Sequence, residues 1–418
     1  MLFLSGTRDR LFYGWVVVAA CFILCAVVFG TRYSFGVFFK SLEIDFQLTR
    51  AATSGVFSTY MLFCCGFAVL GGWALDRYGP RLITVLMGLF TGLSLILTGQ
   101  TDFSWQLFIY YSVLLAVGTG AAYTVAMSTA SRWFDKKRGM ALGIVSSGAG
   151  LGTVLMAPFA THLITNFSWR EAFMVVGLIA GLIIAFSAVL LKKDPGEIGA
   201  LPDGAKLDNS KIGAQSEEYA GGAVSFSLKQ ALGTRSFWFL WIIWFLWSAC
   251  LHFILTHIVP HAIDLGVSAA EASVVLGMIG LVSIPARLIM GGVSDRIGRK
   301  VSAVICAFLQ AGAMIWLIWS GELWMLYLFA VVYGIGYGGF DPPTVALIGD
   351  TFGLRSLGMV MGALVFGWGI GAAIGPAAGG YIYDVNNSYI IAFLAGALFM
   401  LLAGLLVLLT RREINISS

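Results

Sequence analysis

Apolar stretches of about twenty residues or more recur along the whole chain, separated by short polar segments. A run of that length and composition is what an α-helix needs to cross a bilayer. The pattern predicts twelve spans, at 13–39, 51–75, 82–100, 106–130, 139–165, 171–191, 237–262, 270–293, 301–320, 323–349, 357–383 and 389–410. The first run is too long for a removable signal peptide and has no small-residue cleavage site at its end, so it reads as a span. The longest polar stretch, 192–236, divides the spans six and six. The expected organisation is therefore a first bundle over 1–191, a cytoplasmic linker over 192–236 and a second bundle over 237–418. Near the linker's end, Phe226-Ser-Leu-Lys-Gln-Ala-Leu232 is mildly amphipathic and reads as a short helix on the membrane surface.

The polar punctuation repeats. Gly72-Trp-Ala-Leu-Asp76-Arg77-Tyr-Gly79-Pro-Arg81 returns as Gly291-Gly-Val-Ser-Asp295-Arg296-Ile-Gly298-Arg-Lys300, from Gly72 to Gly291 an offset of 219 residues. The same offset carries Gly139-Met140-Ala-Leu-Gly143 onto Gly358-Met359-Val-Met-Gly362, and Gly148 onto Gly367. Two membrane-embedded halves of common ancestry imply an all-α integral membrane protein of two pseudo-symmetric six-helix bundles, a transporter whose halves rock about a central site. Asp76 and Asp295 follow the ends of even-numbered spans. A carboxylate there can receive the N-terminal dipole of a neighbouring helix and pair with Arg77, Arg81, Arg296 or Lys300. The pattern thus predicts a gating latch made by Asp76, Arg77, Arg81, Asp295 and Arg296, with Gly79 and Gly298 permitting the tight turns.

Composition sharpens this picture. The chain is 59% hydrophobic and only 11% charged, a ratio no water-soluble core requires, and its 52 glycines suit helices that approach closely in lipid. The net charge of +4 matters less than its placement. Lys and Arg crowd the segments on one side of the predicted topology, whereas the opposite loops hold only Lys40, Arg50 and Arg170. That bias puts both termini in the cytoplasm, as expected of a multi-pass protein of the cell inner membrane, and gives no sign of a nucleic-acid partner. Cys21, Cys25, Cys64, Cys65, Cys250 and Cys306 all fall within spans without metal-ligand spacing and read as buried thiols. No metal site, cofactor loop or catalytic constellation is visible, so an enzyme is not expected, and a monomer suffices for transport. Gly367-Trp-Gly369-Ile-Gly371 follows no strand and is not a nucleotide loop. Gly371 to Gly380, which contains Pro376, predicts a kinked eleventh span.

Three further segments carry a family resemblance. The duplicated loop resembles the signature of the major facilitator superfamily. Arg132-Trp-Phe134-Asp-Lys136-Lys137-Arg138-Gly139-Met-Ala141-Leu-Gly143 resembles the segment between spans four and five of the monocarboxylate transporters. Phe167-Ser-Trp169-Arg170-Glu-Ala-Phe173 and Tyr13-Gly14-Trp15 with Val37-Phe38-Phe39 are similar to other segments of the same family. The resemblance implies proton-coupled symport of lactate- or pyruvate-like monocarboxylates. It also implies that the eighth span's Asp-x-x-x-Arg binds proton and substrate. Here that stretch is Ser283-Ile-Pro-Ala-Arg287: the arginine is kept and the aspartate is Ser283. Tyr33 stands where the family often has a lysine.

Arg287 is the leading candidate on physical grounds too. Eight residues before Asp295, it lies about 12 Å into the bilayer, where an arginine faces a cavity or a partner. Its planar fork suits a carboxylate. Tyr123, Tyr333, Tyr337, Ser283 and Tyr33 complete the expected substrate set, the tyrosines offering hydroxyls together with apolar ring faces. Asp264 is the first candidate for the proton because it follows His257 and His261 on one helix face. Asp341, before the helix-breaking Pro342-Pro343, is the second, and His257 the third. Arg32 either attracts anions at an outer mouth or snorkels to the interface. The closest alternative is an oxalate/formate-type exchanger, which would want a second cation in span eleven that this chain lacks. A carboxylate sensor on the same scaffold is the alternative from another class.

Overall fold

The computed structural model describes residues 12–48, 50–204, 226–354 and 356–411. Both chain ends, expected in the cytoplasm, and linker residues 205–225 lie outside the described residues. Twelve helices are long and apolar enough to cross a membrane. They are α1 (Tyr13–Asp45), α2 (Gly55–Tyr78), α3 (Pro80–Gly99), α4 (Ser104–Trp133), α5 (Arg138–Asn166), α6 (Trp169–Leu190), α7 (Arg235–Asp264), α8 (Glu271–Ile297), α9 (Arg299–Trp319), α10 (Leu323–Phe352), α11 (Leu357–Asn386) and α12 (Ile390–Leu409). No strand occurs among the described residues. The expected amphipathic helix is a single short turn, Leu228–Leu232, capped by Ser227 and Gln230. Proline breaks helices less than the sequence suggests. Both α10 and α11 continue as single helices through Pro342, Pro343 and Pro376, and α8 runs through Pro285. Irregularity lies elsewhere: Phe108–Leu114 of α4 is a π-helical stretch, α1 is interrupted at Ser34, and α9 ends in a 3-10 turn at Leu317–Trp319.

The repeat is visible in the packing. Helix α1 packs on α5 as α7 packs on α11, and α3 packs on α6 as α9 packs on α12. Across the halves α5 lies along α8, and α2 along α11. The helices approach closely there because small residues leave room. A Cβ on Gly143 would collide with the Arg287 backbone of α8, and one on Gly291 with the Gly139 backbone of α5.

We call the side where α1 begins and α12 ends the linker face, and the opposite side the distal face. At the linker face the two halves are joined by duplicated contacts. Asp295 accepts hydrogen bonds from the backbone N–H groups of Gly139 (2.8 Å) and Met140 (2.9 Å), at the N-terminus of α5. Asp76 does the same with Gly358 (3.2 Å) and Met359 (2.9 Å), at the N-terminus of α11. Each carboxylate therefore meets the positive end of a helix in the opposite half, where orphan N–H groups and the dipole both favour it. The turns that deliver them need positive φ at Gly79 (82°) and Gly298 (98°).

The cations differ from those expected. Asp76 pairs with Arg132 of α4 (2.6 Å), and Asp295 with Arg299. Arg77 instead lies over the rings of Trp73 and Tyr78, Lys300 donates to the Thr410 carbonyl, and Arg81 and Arg296 are exposed. The latch as read from sequence thus keeps its two aspartates but not Arg77, Arg81 or Arg296, which point away from them. Arg138 adds a further bridge between the halves, to Asp350 of α10.

Removing one anion should loosen this face. Asp295→Asn weakens two charge-assisted bonds and the pair with Arg299, each worth about 1.5–3 kcal/mol at most. With spin labels at Lys136→Cys and Arg296→Cys, the population with the halves apart is expected to rise about tenfold. An unchanged distance distribution contradicts the latch.

Candidate functional site

Midway through the bundle the two halves meet at a polar cluster. Arg287 lies ten residues from the end of α8, about 15 Å in from the linker face. It is only 6% exposed. One guanidinium nitrogen donates to the Ser146 carbonyl of α5 (2.9 Å) and to Asp341 of α10 (3.3 Å). The other donates to the Tyr337 hydroxyl (2.7 Å), and the group lies over the Tyr337 ring at 5.1 Å. Asp341 is 2% exposed, and its second oxygen accepts from the Tyr123 hydroxyl of α4. Side chains from α4, α8 and α10 and a carbonyl of α5 thus close on one another across the boundary between halves. Arg287 Nε is buried without a partner.

Asp341 is therefore the carboxylate that stands beside Arg287, in place of an aspartate at Ser283. Ser283 is not available to a ligand. Its hydroxyl donates to the Gly280 carbonyl (2.7 Å), and it is packed against Gly338 of α10. Tyr333, although one turn from Tyr337, is fully buried, stacked on Phe329 at 5.2 Å, and does not join the cluster. Tyr33 is 39% exposed on α1, within electrostatic reach of both Arg32 and Arg287.

The seventh-span candidates lie elsewhere. Asp264 is exposed at the distal end of α7, against the Tyr383 hydroxyl, so it does not supply the counter-charge of Arg287. His257 bonds the Tyr389 hydroxyl (3.1 Å) and the Pro376 carbonyl (2.9 Å), tying α7 to α11. His261 sets its ring edge-on to Tyr389 and Phe393. All six cysteines are buried and free.

Arg32 does not snorkel. It is 7% exposed and turned inward, its Nε donating to the Tyr60 hydroxyl of α2 (3.0 Å), which in turn meets Thr119 of α4 (2.8 Å). Its guanidinium lies over Phe29 at 4.8 Å. Among the described residues the buried arginines are Arg32, Arg132, Arg138 and Arg287. Arg132 meets Asp76, Arg138 meets Asp350 and Arg287 meets Asp341, whereas Arg32 meets only neutral groups. An unneutralised arginine at that depth is costly, and it attracts an anion. Two residues that sequence reasoning passed over lie on these surfaces. Arg132 has no periodic signal that separates it from its basic neighbours. His252, a half-buried histidine of α7, is one turn beyond Ser248.

Comparison with known proteins agrees with this architecture. The model of the Major Facilitator Superfamily matches residues 21–289 and 258–417. The chain is 26% identical over 375 residues to an oxalate:formate antiporter of Oxalobacter formigenes, covering 86% of this chain and 84% of that one. It is 24% identical over 413 residues to monocarboxylate transporter 12 of Xenopus laevis, covering 94% and 88%. Among solved structures, the proton:xylose symporter XylE superposes with a TM-score of 0.73 at 15% identity, over 95% of this chain and 94% of that one. The Escherichia coli fucose:proton symporter FucP superposes with a TM-score of 0.71 at 14% identity, over 95% and 100%. Twelve spans, a duplicated signature loop at the helix N-termini of the opposite half and a family match along nearly the whole chain make this protein a member of the Major Facilitator Superfamily.

Proposed function

We propose that the protein is a secondary active transporter of small monocarboxylates, lactate- or pyruvate-like, carried with a proton by alternating access. The observation that carries the reading is the charge of the interior. Arg287 and Asp341 neutralise one another, and Arg32 is left over. The buried site therefore holds one net positive charge, which one carboxylate balances. Electrostatic matching of this kind is strong where water is excluded. Relatives at 24–26% identity are named for monocarboxylates and for oxalate and formate, both small carboxylate classes.

In this reading the linker face is cytoplasmic, because the basic residues crowd there, and the membrane is the cell inner membrane. The duplicated aspartate contacts hold that face shut, so the described state faces outward. The substrate carboxylate enters between the halves and binds at Arg287, with Tyr337 and Tyr123 supplying hydroxyls. Asp341 serves as counter-ion. It accepts hydrogen bonds from both Arg287 and Tyr123.

A second reading rests on one observation. Arg32 and Arg287 are two buried cations, one in each half, and two cations suit a dicarboxylate exchanger. The charge count discriminates between the readings. Competition for lactate uptake in proteoliposomes should show stronger inhibition by C2–C4 monocarboxylates than by oxalate or succinate; the reverse order establishes the exchanger.

Two variants follow. Arg287→Ala removes the carboxylate's partner and strands Asp341, so kcat/KM for lactate uptake should fall at least about 100-fold with folded protein still in the membrane; Arg287→Lys should recover little, because it lacks the fork. Wild-type kinetics in Arg287→Ala contradict the site. Asp341→Asn raises the site to two net positive charges. It should shift preference toward oxalate over lactate by about tenfold or more, read as the ratio of inhibition constants, and an unchanged ratio contradicts the charge count.

A further inference from the structure

A proton symporter of this kind needs a group that takes up a proton when the anion binds. Asp341 already accepts two hydrogen bonds, one of them from an arginine, and Asp264 lies at the exposed end of its helix. The interior holds another titratable side chain, His252. Its position follows from helix geometry. It lies seventeen residues into α7, about 25 Å from the linker face, and Arg32 lies nineteen residues into α1, about 28 Å from the same face. The two are at one level, some 10 Å beyond Arg287 on the distal side, and on helices from opposite halves.

The imidazole is held in one tautomer. Nδ1 lies 2.9 Å from the Ser248 carbonyl, which can only accept, so Nδ1 carries the hydrogen. The Ser248 hydroxyl lies 3.3 Å from the same nitrogen. The ring edge meets Trp368 of α11 at 4.8 Å between centroids. Nε2 is left with its lone pair, has no partner among the described residues, and is not sealed from solvent as His261 Nε2 is. Arg32 reaches the Cys64 thiol of α2 (3.8 Å), the adjacent Cys65 thiol lies against Gly369 of α11, and Trp368 beside it is the residue that meets the His252 ring. On α7 itself the neighbouring titratable side chains are Cys250, behind His252 and bonded to the Gly396 carbonyl, and His257.

We propose that Arg32 and His252 form a distal carboxylate site that fills only when His252 Nε2 takes a proton. With no anion present, Arg32 repels a second positive charge and His252 stays neutral. The substrate carboxylate, held between them before it passes on to Arg287, is balanced by Arg32 and turns that repulsion into attraction, so one anion and one proton enter together. The proton comes from the distal solution onto Nε2 and leaves with the anion once the site opens at the linker face. The same carboxylate draws α1 toward α7. The hydrogen bonds that α4 and α5 make to the second half lie midway or at the linker face, and this contact adds one on the distal side.

The proposal rests on the monocarboxylate reading and deepens it, and the test separates the two. Lactate binding to the purified full chain is measured at pH 5.5 and 7.5, with proton uptake followed in weak buffer. The wild type should bind at least about tenfold more tightly at pH 5.5 and take up about one proton per lactate near neutral pH. His252→Gln should flatten the pH dependence and abolish proton uptake, and Arg32→Gln should weaken binding at both pH values. If His252→Gln does not fold, His252→Asn and the wild-type proton count decide. A pH dependence that survives in His252→Gln, or lactate binding without proton uptake in the wild type, overturns this inference and leaves the transporter reading standing. A wild type that binds no monocarboxylate at either pH overturns the reading beneath it.

Discussion

An arginine charge in the middle of a hydrocarbon slab has to be neutralised, and the centre of this molecule is arranged around doing so. Arg287 draws Asp341 and Tyr337 from α10 and the Ser146 carbonyl from α5, and Asp341 draws Tyr123 from α4. The contacts belong to both halves, so any ligand that changes the hydrogen bonding of Arg287 acts on the interface itself. A rocking mechanism requires this: binding energy has to differ between states to shift their populations. Arg32 sets the complementary condition. Buried without a counter-charge, it leaves the interior one positive charge in excess, which in the proposed function an anion balances.

The linker-face contacts obey a related economy. Asp76 and Asp295 each satisfy orphan backbone N–H groups at a helix N-terminus of the other half. They sit beside an apolar cluster shared by both halves, which includes Leu75, Ala141 and Leu142 with Leu357 and Val360. Duplication of the half, visible as a fixed sequence offset, repeats the carboxylate-to-helix contact, while the cation differs: Arg132 from α4 beside Asp76, and Arg299 beside Asp295.

Much of this was legible in the chain, and the failures share one cause. The spans, the repeat and the helix-dipole contacts of the two aspartates are local signals: hydropathy, spacing and loop chemistry. Arg287 was legible because an arginine in a span is costly wherever it packs. Asp341 was named only second, after Asp264, because it is 54 residues from Arg287, and periodicity along α8 and α10 does not say that their inner faces meet. The latch cations were misassigned for the same reason. Arg77 is the nearest cation in sequence to Asp76, but its side chain lies over Trp73 and Tyr78, while Arg132 arrives from α4. Ser283 entered the expected site through the family resemblance and Tyr333 through its spacing from Tyr337, and tertiary packing buries both. His252 looked like one histidine among several on α7; what distinguishes it is an unpartnered nitrogen at the level of Arg32.

The central claim is that the interior's excess positive charge selects an anion. The most direct measurement compares lactate with lactamide, its neutral isostere, in equilibrium binding to the purified protein. The charge account predicts that lactate binds and that lactamide, at concentrations 100-fold higher, fails to displace it. Displacement by lactamide at concentrations similar to those of lactate would show that shape alone decides recognition, and would contradict the account.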